Sequence, residues 1–221
     1  MLNESYGSGA AAAYSLRRLN GLYTGAAIEV ERSSDNQTQD IGFDVDGNLD
    51  ESALTTFCTG TVCKVRTWYD QSVTGGTGSG NDAVQTVHAN QPTIYTGGAI
   101  VKENGRVAVE FDGSDDTLES ESTVVSNHAM SLFMTYKFDN IASKPQDVVM
   151  SSTTDGFKYG MSGLGQDQYA KYSPLETTTW ANTITTQRLD SLFSVNSGGA
   201  ILYTNSILQS ATGTAGIVGS N

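Results

Sequence analysis

The sequence predicts an all-β sandwich, on three observations: short segments that alternate apolar and polar residues, turn-forming clusters between them, and very little helical periodicity. Twenty-four glycines against three prolines in 221 residues suit a chain of many tight turns. A β-sandwich of roughly 200–250 residues commonly folds as one domain, so residues 1–221 are expected to form one.

In chain order, residues 10–19 (AAAAYSLRRL) are rich in Ala, Leu and Arg and stop at Asn20-Gly21, which predicts one short N-terminal helix. A second helix candidate is 50–57 (DESALTTF), where Asp50 would cap the first turn and Glu51 would suit its dipole. Strand alternation is clear at 26–32 (AAIEVER), with Ala26, Ile28 and Val30 on one face, and at 62–69 (VCKVRTWY). It recurs at 106–111 (RVAVEF), where Val107, Val109 and Phe111 share a face and Phe111 should point inward. Later strands are expected at 130–138, 147–151, 156–161, 191–194 and 200–204, divided by Gly, Asn, Asp, Ser and Thr. The GGTGSG run at 75–80 reads as a loop within a domain, since the sequence keeps its character on both sides. No fixed-period repeat is present. Residues 216–220 (GIVGS) read as a strand entering a turn just where the sequence stops, so a closing C-terminal strand is expected to be missing or supplied by a neighbour.

Twelve Lys and Arg face 24 Asp and Glu, a net charge of −12 and a pI near 4.4. A field of that sign repels nucleic acid and anionic membranes, so neither is an expected partner. No run reaches the ~18 apolar residues of a membrane helix. The start MLNESYGSGAAAAYSL has no basic or apolar leader region, so no signal peptide is expected. Cys58 and Cys63 are too few for a four-ligand zinc site. They read as a local disulfide, with Gly60 allowing the turn and an oxidising location implied, or as two reduced thiols.

Four segments in order, AAAAYSLRRLNGLYTGAAIEVERSSDNQTQDIGF, FCTGTVCKVRTWYDQS, NDAVQTVHANQPTIY and ENGRVAVEFDGSDDTLE, resemble the catalytic domain of the α-L-arabinofuranosidase B family. They are also similar to laminin G-like domains of phage and marine bacterial surface proteins. The resemblance spans residues 10–119; beyond Ser131, ILYTNSILQSATGTAGIVGS resembles a laminin G-type hairpin. It implies a concanavalin A/laminin G-like jelly-roll. Read as residues, WYDQS ends a strand with Trp68 and Tyr69 while Asp70 binds turn amides, and Asp112-Gly113 forms a tight turn.

Glycoside hydrolysis with retention needs two carboxyl groups ~5–5.5 Å apart, one kept protonated and one ionised. The resembled family carries its nucleophile on a strand like HMEAIYFG after a Cys-Cys pair, and its acid/base Asp in a Gly-Gly-Asp-Asn type loop. Here the comparable GFKYGMSGLGQDQYAKY offers only Asp167, and Gly219-Ser220-Asn221 lacks the Asp. No catalytic residue is therefore assigned. The expected function is a non-catalytic virion or surface structural domain (tail fibre, spike or decoration type) that binds glycans. A divergent arabinofuranosidase-like hydrolase and a purely architectural assembly domain are the alternatives.

Sugar binding needs aromatic faces beside amides or carboxylates. Tyr159, Tyr169, Tyr172 and Trp180 lie among Gln166, Asp167, Gln168 and Asn182, and Tyr169, Tyr172 and Trp180 are the sugar-binding candidates. Calcium is a candidate ion, because residues 44–50 (DVDGNLD) alternate oxygen donors. Alignment on Gly47 leaves Gly42 and Ala53 at the anchor positions of an EF-hand, so this segment reads as an acidic loop capping the next helix. No metal ligand or cofactor is assigned. His88 and His128 lack a Ser, Cys or ligand neighbour at useful spacing, so no triad is assigned. Asn3 and Asn36 head glycosylation patterns, and no phosphate-binding glycine motif is present. Expected partners are glycans or a host cell surface and other virion or surface subunits, in a homo-oligomer located on a virion or extracellular surface.

Overall fold

A computed structural model describes residues 10–72, 80–120, 131–138, 146–150, 158–161, 167–173, 176–181, 188–194 and 200–208. The chain divides into two compact units, Met1–Val124 and Val125–Asn221. The all-β class holds: every named strand pairing is antiparallel.

In the first unit β1 (Ile28–Arg32), β2 (Thr38–Ile41), β3 (Cys63–Trp68), β4 (Ala83–Val84), β5 (Thr93–Thr96), β6 (Ala99–Ile100) and β9 (Glu119–Ser120) form one sheet. Its main path runs β2-β1-β3-β4-β9, and β5 also pairs with β3. A separate hairpin joins β7 (Lys102–Glu103) and β8 (Arg106–Val107). Its turn is Asn104-Gly105, both at positive φ, the signature of a type I′ hairpin. Period-two alternation sets the core. Ile28 and Val30 of β1 and Cys63 and Val65 of β3 are fully buried with Ile41 and Ile94, while Glu29, Lys64 and Arg66 lie between them in sequence on the other side.

The α-helix of the described residues is α1, Glu51–Cys58. Asp50 caps it by accepting the Ala53 amide at 2.9 Å, as the acidic-loop reading requires. Leu54 and Cys58, four residues apart, fall on one helix face and are fully buried against the sheet residues. Cys58 and Cys63 are joined in a disulfide, which settles the choice left open by the sequence.

Two sequence expectations fail here. Residues 10–19 are not helical. Their backbone is held from outside: Ala13 N donates to Asp70 Oδ1 at 2.8 Å, Leu19 N to Gln71 Oε1 at 2.9 Å, and Gln71 Nε2 donates to Ser15 O at 2.7 Å. Tertiary hydrogen bonds thereby replace the intrahelical ones that Ala-rich propensity favours. The 106–111 strand shortens to Arg106–Val107 with an isolated bridge between Glu110 and Thr93, and Phe111 is 46% exposed instead of inward.

Among its described residues the second unit holds two sheets. β10 (Ser131–Tyr136), β15 (Arg188–Ser194), β16 (Ala200–Thr204) and β17 (Ile207–Leu208) lie in that order in one. β16 and β17 join through Asn205-Ser206, both at positive φ, so the hairpin expected in ILYTNSIL is present. β11 (Gln146–Met150), β12 (Lys158–Met161), β13 (Asp167–Ser173) and β14 (Glu176–Ala181) form the other. Residues 216–220, most of the GGTGSG run, Asn3 and His128 lie outside the described residues.

Closing the short loop between Cys58 and Cys63 removes conformational entropy from the unfolded chain, about 2 kcal/mol for a ring this small. Replacing both cysteines with alanine should lower stability by that amount in urea titrations, and a reductant should do the same to the parent and nothing to the variant.

Candidate functional site

The polar side of the first sheet carries a connected array of charged groups. Glu31 is almost buried, with 6% of its side chain exposed. Its Oε2 accepts from Gln91 Nε2 at 3.0 Å and from Arg66 Nη1 at 3.3 Å, and its Oε1 lies 3.1 Å from His88 Nδ1. Arg66 Nε reaches Glu29 Oε2 at 3.4 Å, an oxygen that also accepts from Thr67 Oγ1 at 3.1 Å. Glu29 pairs in register with Asp40 across β1 and β2, and Asp40 Oδ1 accepts from the Tyr69 hydroxyl at 2.7 Å. One guanidinium thus bridges two carboxylates, and a tyrosine holds the third.

His88 is where sequence spacing misled. The fold brings Ser33, 55 residues away, to 2.9 Å between Oγ and His88 Nε2. Ser33, His88 and Glu31 therefore line up. The His88–Glu31 contact has ion-pair distance without hydrogen-bond alignment, and Glu31 is already shared with Arg66 and Gln91. The chemistry this supports is bracing: it ties the one-turn 3₁₀ helix His88–Asn90 to β1.

The FDGSDD segment forms a compact acidic loop. Asp112 Oδ1 accepts from the Ser114 amide at 2.8 Å, and more weakly from those of Asp115 and Asp116. The Ser114 bond, more than any other contact, holds the Asp112 carboxyl below its usual range. Asp116 is the reverse case, its carboxyl raised mainly by burial. Gly113 has φ +72°, as the tight turn expected from the sequence needs.

Three tyrosines are pushed up by burial first and by neighbouring carboxylates second. Tyr23 rises to about 12, and Tyr14 and Tyr69 rise further.

The sugar-binding candidates lie in the second unit, on β13 and β14. Tyr169 pairs with Thr179, and Gln168 pairs with Trp180, so Tyr169 and Trp180 stand in adjacent register rows. Tyr172 falls at the register irregularity between Lys171 and Ser173. The rows continue across the sheet: Asp147 pairs with Gly160, Gly160 with Tyr169, and Tyr169 with Thr179. Asp167 opens β13 two residues before Tyr169, opposite Ala181. Sequence spacing could not show that Asp147 and Tyr169 share a row, because register is a long-range property.

The family model described as "Alpha-L-arabinofuranosidase B, catalytic" matches residues 2–167. No curated protein sequence matches the chain. Among solved structures, an arabinofuranosidase complexed with arabinofuranosyl-α-1,2-xylobiose superposes with a TM-score of 0.61 at 19% identity, over 89% of this chain and 50% of that one. A GH54 α-L-arabinofuranosidase soaked with a cyclic sulfate inhibitor gives 0.53 at 20% identity, and a GH54 mutant soaked with 4-nitrophenyl α-L-arabinofuranoside gives 0.55 at 20%, with the same coverage. The chain has their fold and spans about half their length. These findings overturn the expected non-catalytic virion or structural role: the matched family is that of a glycoside hydrolase's catalytic domain, which is the hydrolase alternative.

Removing the Glu31 carboxylate strips a buried charge from its partners, a loss of about 3 kcal/mol. Glu29 is more exposed and its pairing is worth under about 1 kcal/mol. Urea titrations of Glu31→Ala and Glu29→Ala should therefore separate clearly; equal losses would refute the bracing role. For the tyrosines, the folded state holds the phenol proton more tightly than the unfolded state. Their stabilisation is full below the ordinary value of 10.0 and is lost as pH rises through about 12. Stability followed from pH 9 to 12 should fall across that window, and less steeply in Tyr23→Phe.

Proposed function

The chain belongs to the α-L-arabinofuranosidase B catalytic family, and on that premise we propose that it acts as a glycoside hydrolase on α-L-arabinofuranosyl groups of glycans. The observation that carries the reading is the match over residues 2–167 of the 221. Two solved relatives, by their descriptions, hold arabinofuranosyl ligands, which supports a furanoside as the sugar recognised here.

Glycosidases cleave the bond between two carboxyl groups, one protonating the departing oxygen and the other attacking the sugar carbon or activating a water. The reading places this work on the β11–β14 sheet. Asp147, Gly160 and Tyr169 share a row there, and Asp167 lies two residues from Tyr169 on the same strand. Positions two apart on a strand, and positions in one row, belong to one face of a sheet. We assign Asp147 and Asp167 as the candidate carboxyl pair, with Tyr169 as the candidate sugar contact on their face; Trp180, in the row of Gln168, belongs to the opposite face. The disulfide supports action in an oxidising setting outside the cytosol.

Release of nitrophenol from 4-nitrophenyl α-L-arabinofuranoside tests the assignment. The purified chain should release it, and Asp147→Asn and Asp167→Asn should each lower kcat by about 100-fold or more. Tyr169→Ala should chiefly raise KM. Binding of arabinofuranosides without release would overturn hydrolysis and keep recognition; neither binding nor release would overturn both.

A further inference from the structure

Beyond the carboxyl pair and Tyr169, the β11–β14 sheet places two lysines in one row. Lys158 of β12 and Lys171 of β13 are directly opposite in an antiparallel pairing that runs on through Gly160 and Tyr169. The row continues to Met150 on β11 and Thr177 on β14, so it contains no acidic residue. Like charges directly opposite on one face of a sheet are destabilising. The chain has six lysines in 221 residues and a net charge of −12, so a row of two cations is the reverse of its general character.

Lys158 lies two residues from Gly160, and Lys171 two from Tyr169. The lysine row and the Asp147–Gly160–Tyr169 row therefore share a face, about 7 Å apart. Asp147 stands diagonal to Lys158, a relation in which opposite charges can still interact. Lys171 has no such neighbour among the described residues. The positions beside it in the next row are Gly160, Tyr169 and Thr179, and Glu176, next to Thr177 on β14, belongs to the other face.

We propose that Lys158 and Lys171 form an anion subsite, which selects arabinofuranosyl groups carried on acidic glycans. The subsite rests on the hydrolase reading and on its placement of the reacting bond on this face. An arabinofuranosyl group has no ionisable substituent, so the anion belongs to a neighbouring unit of the glycan, as a uronic acid carboxylate or a sulfate ester. Lysine suits either, being a compact point charge with three donors. An anion bound at this row offsets the repulsion between the two lysines, a gain that a neutral glycan lacks.

Matched oligosaccharides test this. One arm sets an arabinofuranosyl oligosaccharide containing a uronic acid against its carboxyl-reduced form; the other sets a sulfated one against its desulfated form. Arabinose release by the whole chain should favour one acidic member by about tenfold in kcat/KM, chiefly through KM, the effect of one charge-assisted contact. The preference should shrink in high salt, and the arm that shows it identifies the anion. Lys171→Gln should bring the ratio close to one, and Lys171→Arg should retain most of it. Lys102→Gln, the same loss of charge in the first unit, should leave it unchanged. Ratios from one preparation do not depend on the fraction folded, so a variant that folds poorly still reports. No preference in either arm, a preference that survives Lys158→Gln and Lys171→Gln together, or its loss in Lys102→Gln would overturn the subsite. If no substrate releases arabinose, hydrolysis fails by itself. Calorimetric Kd values for the same pairs then decide the subsite, unequal values supporting it and equal values sinking it.

Discussion

Two buried side chains, Asp70 and Gln71, set the path of the chain ahead of the first strand. They are 1% and 0% exposed and sit just past the end of β3, the strand that pairs with β1, β4 and β5. Burying an amide and a carboxylate is costly unless every polar atom finds a partner. Here the partners are the backbone of residues 13–19, whose donors and acceptors are satisfied side by side with the sheet. Asn81 continues the arrangement, donating to Ala11 O at 2.7 Å and accepting the Tyr14 hydroxyl at its own carbonyl. The central strand, the incoming segment and β4 are thereby fixed to one another by hydrogen bonds, with the apolar core beneath.

That arrangement explains which parts of the fold were readable in the sequence. β1 and β3 declare themselves because alternation is local and both strands have one apolar side. The helix at Asp50 was legible from its cap and from Glu51 in its first turn, which local chemistry fixes. Residues 10–19 were misread because propensity, worth under ~1 kcal/mol per residue, yields to buried hydrogen bonds from residues more than fifty positions away. Phe111 was misread for a related reason: alternation was extended past Val107, where the strand ends. The Ser33–His88–Glu31 alignment and the Asp147–Gly160–Tyr169 row depend on register between distant segments, which spacing along the chain does not encode.

Function was misjudged by a different route. The absence of two short catalytic patterns pointed away from an enzyme, yet family membership rests on many weakly constrained positions across residues 2–167. Short motifs are sensitive to one substitution; a summed match is not. The acidic composition was also read too globally. A net charge of −12 repels polyanions at long range, but around Glu29, Glu31 and Asp40 it is answered locally by Arg66, Gln91 and Tyr69.

The cysteine bridge has a consequence for how the chain must be made. Both sulfurs are fully enclosed, one on the last turn of α1 and one at the start of β3. An oxidant or isomerase cannot reach them once that interior has closed, because thiol exchange needs in-line access to the sulfur. A chain that collapses around Leu54 and Val65 before crosslinking therefore encloses two thiols. The order of those two events, set by the compartment of synthesis, decides which of two covalent species accumulates.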